Sequence, residues 1–264
     1  MLGTVIGDII GSVYEFKNHR SKDFEPLFHP HARFTDDTVC TVAIADALVH
    51  GADPQATLID WCRRHAENGG WGKRFAQWFL DDDPKPYGSW GNGAAMRISP
   101  VGLLASNEDE AIEWTDAATV ITHNHPDGIK SARAVALAIH WALVKTSPSE
   151  ISSRLSNRFG YDLNTTPDEI RRTYVRTESA AGSVPQAIVC ALQSTSYEDA
   201  IRTAVSIGGD SDTIAAICGG IAEALHGLPE CIAQQGWRYL TPQMQQVLAS
   251  LYREKKGDSA SLQQ

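Results

Sequence analysis

Apolar residues recur at helical spacing along almost the whole chain, and runs that alternate apolar with polar residues are nearly absent. That pattern leaves little choice of fold. A chain whose Val and Ile are diluted by Ala and Leu buries helix stripes, not sheet faces. Thr35 or Asp36 is placed to cap a helix that Gly51 ends, and Asp53-Pro54 opens another that runs to Asn68-Gly69-Gly70. The periodicity predicts further helices over 2–16, 72–80, 99–105, 108–121, 127–145, 148–159, 167–175, 184–195, 197–207, 212–226 and 241–255. Within the first of them Gly3, Gly7 and Gly11 stand four apart, a smooth stripe against which another helix can come close. The expected fold is all-α: one compact helical bundle over residues 1–256, with a polar, frayed tail over 257–264.

A chain of 264 residues buries enough apolar surface to fold without a disulfide or a structural metal. Its five cysteines (Cys40, Cys62, Cys190, Cys218 and Cys231) are odd in number, scattered and without a CxxC pair. They read as small buried hydrophobes in a reducing compartment. The net charge of −9, from 23 basic and 32 acidic residues, argues against a non-specific grip on nucleic acid or an anionic membrane. Residues 1–13 are apolar but carry Asp8 and lack a basic leader, so they read as a core helix and not a signal peptide. No stretch approaches the roughly 18 uninterrupted apolar residues of a membrane span. The expected setting is cytoplasmic.

Two acidic junctions stand out against this background. Thr35-Asp36-Asp37-Thr38 opens one helix; Gly208-Gly209-Asp210-Ser211-Asp212-Thr213 opens another. Asp and Thr favour helix N-caps, so each cluster alone is most simply a cap. Two matched clusters, each opening a helix that must be buried, point further. If they meet, four carboxylates converge, and like charges in a partly dry site need a counter-cation. The donors are all oxygen, with no Cys and no obligatory His, which selects Mg²⁺, Mn²⁺ or Ca²⁺ over zinc.

Several blocks occur in one order: Gly7-Asp8 through Gly11-Ser12 to Tyr14-Glu15-Phe16, then TDDT (35–38), GSWGNGAAMR (88–97), THNHP (122–126) and GGDSDT (208–213). Together, over residues 3–226, they resemble the ADP-ribosylglycohydrolase family. The resemblance implies an all-helical hydrolase that removes ADP-ribose from a modified protein or a small conjugate, using two Mg²⁺ or Mn²⁺ ions. It implies Thr35, Asp36, Asp37, Asp210, Asp212 and Thr213 as metal ligands, with no departure from the family pattern at any of them. It also implies Glu15 as an active-site acid or base, with Asp36 and Asp212 taking part in the catalysis. Ser89, Trp90, Gly91, Asn92, Gly93 and His123 are implied to contact the ADP-ribose.

Each of these residues also has a plainer reading. Glu15 serves equally as a solvated carboxylate at a helix end, and Asn-Gly is the commonest turn signal. One tryptophan among seven is more often core than stacking platform. His123 and His125 lack a third soft ligand for zinc, and His29 and His31 belong to a surface lid in the long 17–34 loop. Asp81-Asp82-Asp83 is a solvated helix end, and Arg97 braces either the glycine block or a carboxylate. The Tyr14-Glu15-Phe16 block and Gly69-Gly70-Trp71-Gly72 resemble the branch that cuts O-linked, serine-type conjugates. An arginine-directed hydrolase, a non-catalytic binding or structural relative, and a two-metal phosphoesterase are the alternatives; the last usually recruits His ligands, which neither cluster contains.

Overall fold

The computed structural model describes residues 1–68 and 70–261, with side chains up to Lys255. It is a single compact all-α domain, as the periodicity requires. Helices α1 (Leu2–Gly11), α2 (Asp36–His50), α3 (Pro54–Arg64) and α4 (Lys73–Leu80) form the first part of the bundle. The short α5 (Gly93–Met96) and α6 (Ser99–Leu104) precede α7 (Glu108–Thr119), α8 (Pro126–Leu143), α9 (Pro148–Phe159) and α10 (Pro167–Thr173). The chain closes with α11 (Ala180–Leu192), α12 (Tyr197–Ser206), α13 (Ser211–His226), α14 (Glu230–Trp237) and α15 (Pro242–Ser261). Among the described residues the one β-like pairing is an isolated bridge between Gly91 and Ser179. None of the described helices is long and apolar enough to cross a membrane.

Local chemistry accounts for most helix ends. Asp53 accepts from Ala56 N at 2.7 Å in front of Pro54, and Gly51 ends α2 at φ 58°. Thr166 and Glu169 close a reciprocal capping box on α10. Helix α3 ends at Arg64, short of Asn68, and the short α5 lies in a stretch expected to be irregular. Three further helices differ from expectation. The first ends at Gly11, because the Ser12 hydroxyl turns back to Ile9 O and the next residues form tight turns, so Glu15 and Phe16 lie beyond the helix. Helix α11 starts four residues early: Ser179 caps it through Gly182 N, and Pro185 sits inside its second turn. The pattern did not foresee α14, whose buried side is only Ile232 and Gly236, too thin a stripe to register as a period. In the tail, α15 continues to Ser261, and 262–264 lie outside the described residues.

The centre of the bundle is α13, which packs against α1, α8, α11 and α12. All ten residues of α1 and every residue from Ser211 to Ala222 are buried. A helix buried on all sides needs close neighbours, and the glycines provide them. A Cβ added at Gly7 would stand 2.0 Å from Ala215 O, and one at Gly3 2.5 Å from Gly219 O. The stripe on α1 therefore meets backbone, as its spacing suggests.

The 17–34 loop is fastened down by side chains. Phe24, Phe28 and Ala32 are buried, Lys22 pairs with Asp199, and Arg202 donates to Phe24 O at 2.7 Å. Arg20 reaches the carbonyls of Arg171, Tyr174 and Ile207 at 2.6–2.7 Å. His29 is half-buried and His31 exposed.

Candidate metal centre and ligand cleft

The C-terminal end of α1 fixes the site. Gly11 lies so close to α13 that a Cβ there would be 2.5 Å from Asp212 Cα, which sets the start of α13 beside the end of α1. One turn earlier, the fully buried Asp8 accepts from Thr35 N at 2.9 Å, Thr35 Oγ1 at 2.7 Å, Thr38 N at 3.2 Å and the Thr38 hydroxyl. Asp8 thereby docks the start of α2 next to the start of α13. Burial pushes its carboxyl above the usual range, and the four donors act against that rise. Sequence reasoning left Asp8 inside a motif with no role; the Thr-x-x-Thr spacing around the first acidic pair was the available signal. Asp8→Ala would strand two backbone N–H groups and two hydroxyls in a dry place. It is expected to lower stability by about 3 kcal/mol, read as a drop in the urea midpoint at unchanged m value.

The two junctions thus meet. Glu15, Asp210 and Asp212 bring oxygens within 4.8 Å of one another, and Asp36 and Asp37 face them from α2. Capping does not explain the second cluster, since the Asp210 carboxylate makes no cap hydrogen bond to its own helix. It accepts instead from Asn92 Nδ2 at 2.7 Å, and Arg176 lies 3.5 Å away. The same guanidinium donates to Glu15 at 2.9 Å. Burial first, and then the charges of Asp37, Asp210, Glu15 and Asp8, hold Asp212 well above the usual carboxylate range. Burial and neighbouring acids do the same to Asp36 and Asp37, while Thr213 partly offsets the rise at Asp37. Asp210 is pushed up to about 6, with Asn92 and Arg176 pulling it down. Asp37 Oδ2 is buried and has no hydrogen-bond partner. An orphaned carboxylate oxygen among crowded carboxylates fits hard divalent cations.

These acids line one end of a cleft of about 570 Å³, within the ordinary range for a small-molecule site. Glu15, Asp36, Asp37, Asp210, Asp212 and Thr213 all face it, as do Ser89, Trp90, Gly91, Asn92, Gly93 and His123. Thr35 does not; its hydroxyl donates to Asp8 and accepts from Asp37 N. No residue of the 17–34 loop lines the cleft, so a lid role for that loop has no support in this geometry.

The glycine block is held by an antiparallel clasp: Asn92 N donates to Glu178 O at 2.9 Å and Ala180 N to Trp90 O at 3.0 Å. Trp90 is 54% exposed, free to meet a planar ligand group. Arg97 is fully buried and braces the loop, bonding Gly93 O, Ala118 O and Thr122 Oγ1 and, among the described residues, no carboxylate. His125 caps α8 through Asp127 N, and Asp81, Asp82 and Asp83 are exposed. Gly70, Trp71 and Gly72 border the cleft, whereas Gly69 lies outside the described residues. Arg176 and Glu178 were not singled out by sequence. They precede α11 in an irregular segment, and only the clasp with the glycine block brings them to the acids.

The chain has recognisable relatives among known proteins. The sequence profile of the ADP-ribosylglycohydrolase family matches residues 1–260. The chain is 26% identical to the ADP-ribosylhydrolase ARH3 of Mus musculus, covering 87% of this chain and 83% of that protein. It is 24% identical to the ADP-ribosylarginine hydrolase Tri1 of Pseudomonas putida, over 90% of this chain and 73% of that one. A solved structure described as an ADP-ribosylglycohydrolase-related protein complex superposes with a TM-score of 0.70 at 23% identity, covering 96% of this chain and 95% of that one. At that identity the superposition speaks to the fold.

Proposed function

Because the chain belongs to the ADP-ribosylglycohydrolase family, we propose that it is a metal-dependent hydrolase releasing ADP-ribose from a modified side chain or a small ADP-ribosyl conjugate. One observation carries the reading: five carboxylates (Glu15, Asp36, Asp37, Asp210 and Asp212) face one cleft, and among the described residues Arg176 is the only basic side chain paired with any of them. Two Mg²⁺ or Mn²⁺ ions are the cofactors of this reading, with Asp36, Asp37, Asp210, Asp212 and Thr213 as the holders that face the cleft; Thr35, whose hydroxyl is engaged with Asp8 and Asp37 N, would join them only through its remaining lone pair. When bound, such ions neutralise the acids, orient the ribose hydroxyls and make water a better nucleophile.

The protein's own groups supply the rest. Asn92 fixes which way the Asp210 carboxylate points. Glu15, raised above the usual carboxylate range by burial against the pull of Arg176, is placed to exchange a proton with water or the leaving group. Asp212 lies beside it, Asp36 faces the same cleft, and both hold the reacting end of the ligand. Ser89, Trp90, Gly91, Asn92, Gly93 and His123 form the wall that takes the nucleotide end, where missing side chains bring backbone N–H groups near a diphosphate.

Oxygen-linked, serine-type conjugates are the preferred substrates in this reading, on the strength of Glu15-Phe16 and Gly70-Trp71-Gly72 at the cleft border. The test is release of free ADP-ribose from serine-linked and arginine-linked substrates with Mg²⁺, with Mn²⁺ and with chelator. Release from the serine-linked substrate that chelator stops and metal restores is expected. No release from either substrate with either metal overturns the proposal, and binding of ADP-ribose without turnover replaces it with a binding protein.

A further inference from the structure

Arg97 and Thr122 are buried, lie away from the acids and are unused in the mechanism above. Arg97 is 1% exposed and, among the described residues, carries its charge without a carboxylate partner and leaves its Nε unbonded. Its Nη2 donates to Thr122 Oγ1 at 2.8 Å, and the same hydroxyl lies 2.7 Å from His123 Nδ1. Thr122 is fully buried. Its backbone groups are already engaged, the N–H with Thr119 O and the carbonyl with Ser89 N. A guanidinium only donates, so Thr122 Oγ1 must accept from Arg97 and has its own proton to place. Among the described residues the other partner of that hydroxyl is His123 Nδ1. Were Nδ1 protonated, two donors would point at one oxygen and a buried hydroxyl proton would be stranded beside a cation. The low-cost arrangement runs one way: guanidinium to hydroxyl, hydroxyl to Nδ1, with the ring proton on Nε2.

The ring is also held in place. A Cβ at Gly128 would be 2.9 Å from His123 Cβ, so the start of α8 presses on its stem. Nε2 faces the glycine block, 3.2 Å from where a Cβ of Gly93 would be and 3.7 Å from that of Gly91. No protein partner takes Nε2 among the described residues, and His123 lines the cleft.

We propose that Thr122, itself held by Arg97, fixes the tautomer of His123 so that its Nε2–H is a standing hydrogen-bond donor to an anionic oxygen of a ligand seated against the glycine block. Thr122 and Arg97 are then positioning residues for ligand capture. The inference rests on the ADP-ribose reading of the cleft for the identity of that oxygen, but the tautomer itself does not depend on it. Among the described residues the charged and titratable groups facing the ring are Arg97 and Tyr87, whose ring centroid is 6.4 Å away. Burial and the Arg97 charge both push His123 well below its ordinary value. Both favour the neutral ring, and with it the Nε2–H donor.

The experiment joins ¹⁵N-imidazole NMR of histidine-labelled protein, with His123 assigned through His123→Gln, to calorimetric titration with ADP-ribose in Mg²⁺. In the wild type His123 is expected to show a pyridine-like Nδ1 and a pyrrole-like Nε2 with no titration between pH 6 and 8. Thr122→Val keeps the side-chain shape but removes the hydroxyl. It is expected to lose that tautomer pattern and to weaken ADP-ribose about tenfold, while Thr122→Ser restores both. A pyrrole-like Nδ1 in the wild type overturns the inference, and so does equal weakening by the Val and Ser variants. If Thr122→Val fails to fold, the wild-type spectrum alone decides. A wild type that shows the expected tautomer but binds no ADP-ribose sinks the reading of the cleft and leaves the tautomer assignment standing.

Discussion

Asp212→Asn is expected to abolish turnover and at the same time to make the metal-free protein more stable. The two effects share one cause. Asp212 is buried and surrounded by Asp37, Asp210, Glu15 and Asp8, so the folded chain carries a charge that it holds poorly without a cation. An acid whose folded pKa lies above its unfolded value contributes stability below the unfolded pKa, and that contribution is lost as pH rises through the folded value. For Asp210 the window runs from the ordinary carboxylate value of 3.8 to about 6; Asp36, Asp37 and Asp212 are raised well above the same ordinary value and act in the same direction. Asn cannot ionise, yet its side-chain oxygen can still accept from Thr213 N, as Asp212 does at 3.0 Å. The metal-free variant should therefore gain about 1 kcal/mol, or roughly 2–4 °C, at pH 7.5 and much less at pH 5.

Metal reverses the ranking. A divalent ion at about 100 times its dissociation constant adds roughly 2.7 kcal/mol to the wild type, and the variant should show little of this shift. Activity should fall at least about 10³-fold, the rate equivalent of some 4 kcal/mol of lost charge stabilisation. Thermal unfolding in chelator and in Mg²⁺ at both pH values, alongside the ADP-ribose release assay, tests both halves. A variant that is active, or that gains as much from Mg²⁺ as the wild type does, contradicts the assignment of Asp212.

Gly7→Ala is expected to be among the most damaging single changes outside the acidic centre. The added carbon would sit 2.0 Å from Ala215 O and 2.5 Å from Ala215 C, which are backbone atoms that no rotamer change can move aside. Helices α1 and α13 must then part, and Ile6, Ile9 and Ile10, now fully buried, lose contacts along the seam. Overpacking of this kind costs about 3 kcal/mol. Because the same seam sets Asp212 beside Gly11, parting it should also weaken metal binding. Gly51→Ala provides the contrast: nothing lies within 4 Å of its added carbon, but φ is +58°. That change is expected to cost about 1–2 kcal/mol of backbone strain and leave metal binding alone. Urea unfolding and metal-dependent thermal shifts separate the two variants, and Gly7→Ala within 1 kcal/mol of the wild type would falsify the role given to the seam.

Much of this was legible before any fold was known, for reasons of range. The 3.6-residue period, Asp53-Pro54 and Gly51 act over four or five residues, so the sequence alone settles that the chain is helical and where several helices begin and end. The Gly3-Gly7-Gly11 stripe announces a close helix contact for the same reason, and the paired Asp clusters announce a centre short of positive charge. What the stripe meets is a different matter. Only tertiary packing made α13 its partner, gave Asp8 four donors from a segment 27 to 30 residues away, and brought Arg176 to Glu15 across 161 residues. It also chose between the two readings of Arg97, since the glycine block and Thr122 offer it oxygens and no carboxylate reaches it. Local propensity is a property of a few neighbours, whereas charge pairing and backbone contact depend on which distant surfaces bury each other, and no window of sequence contains both sides.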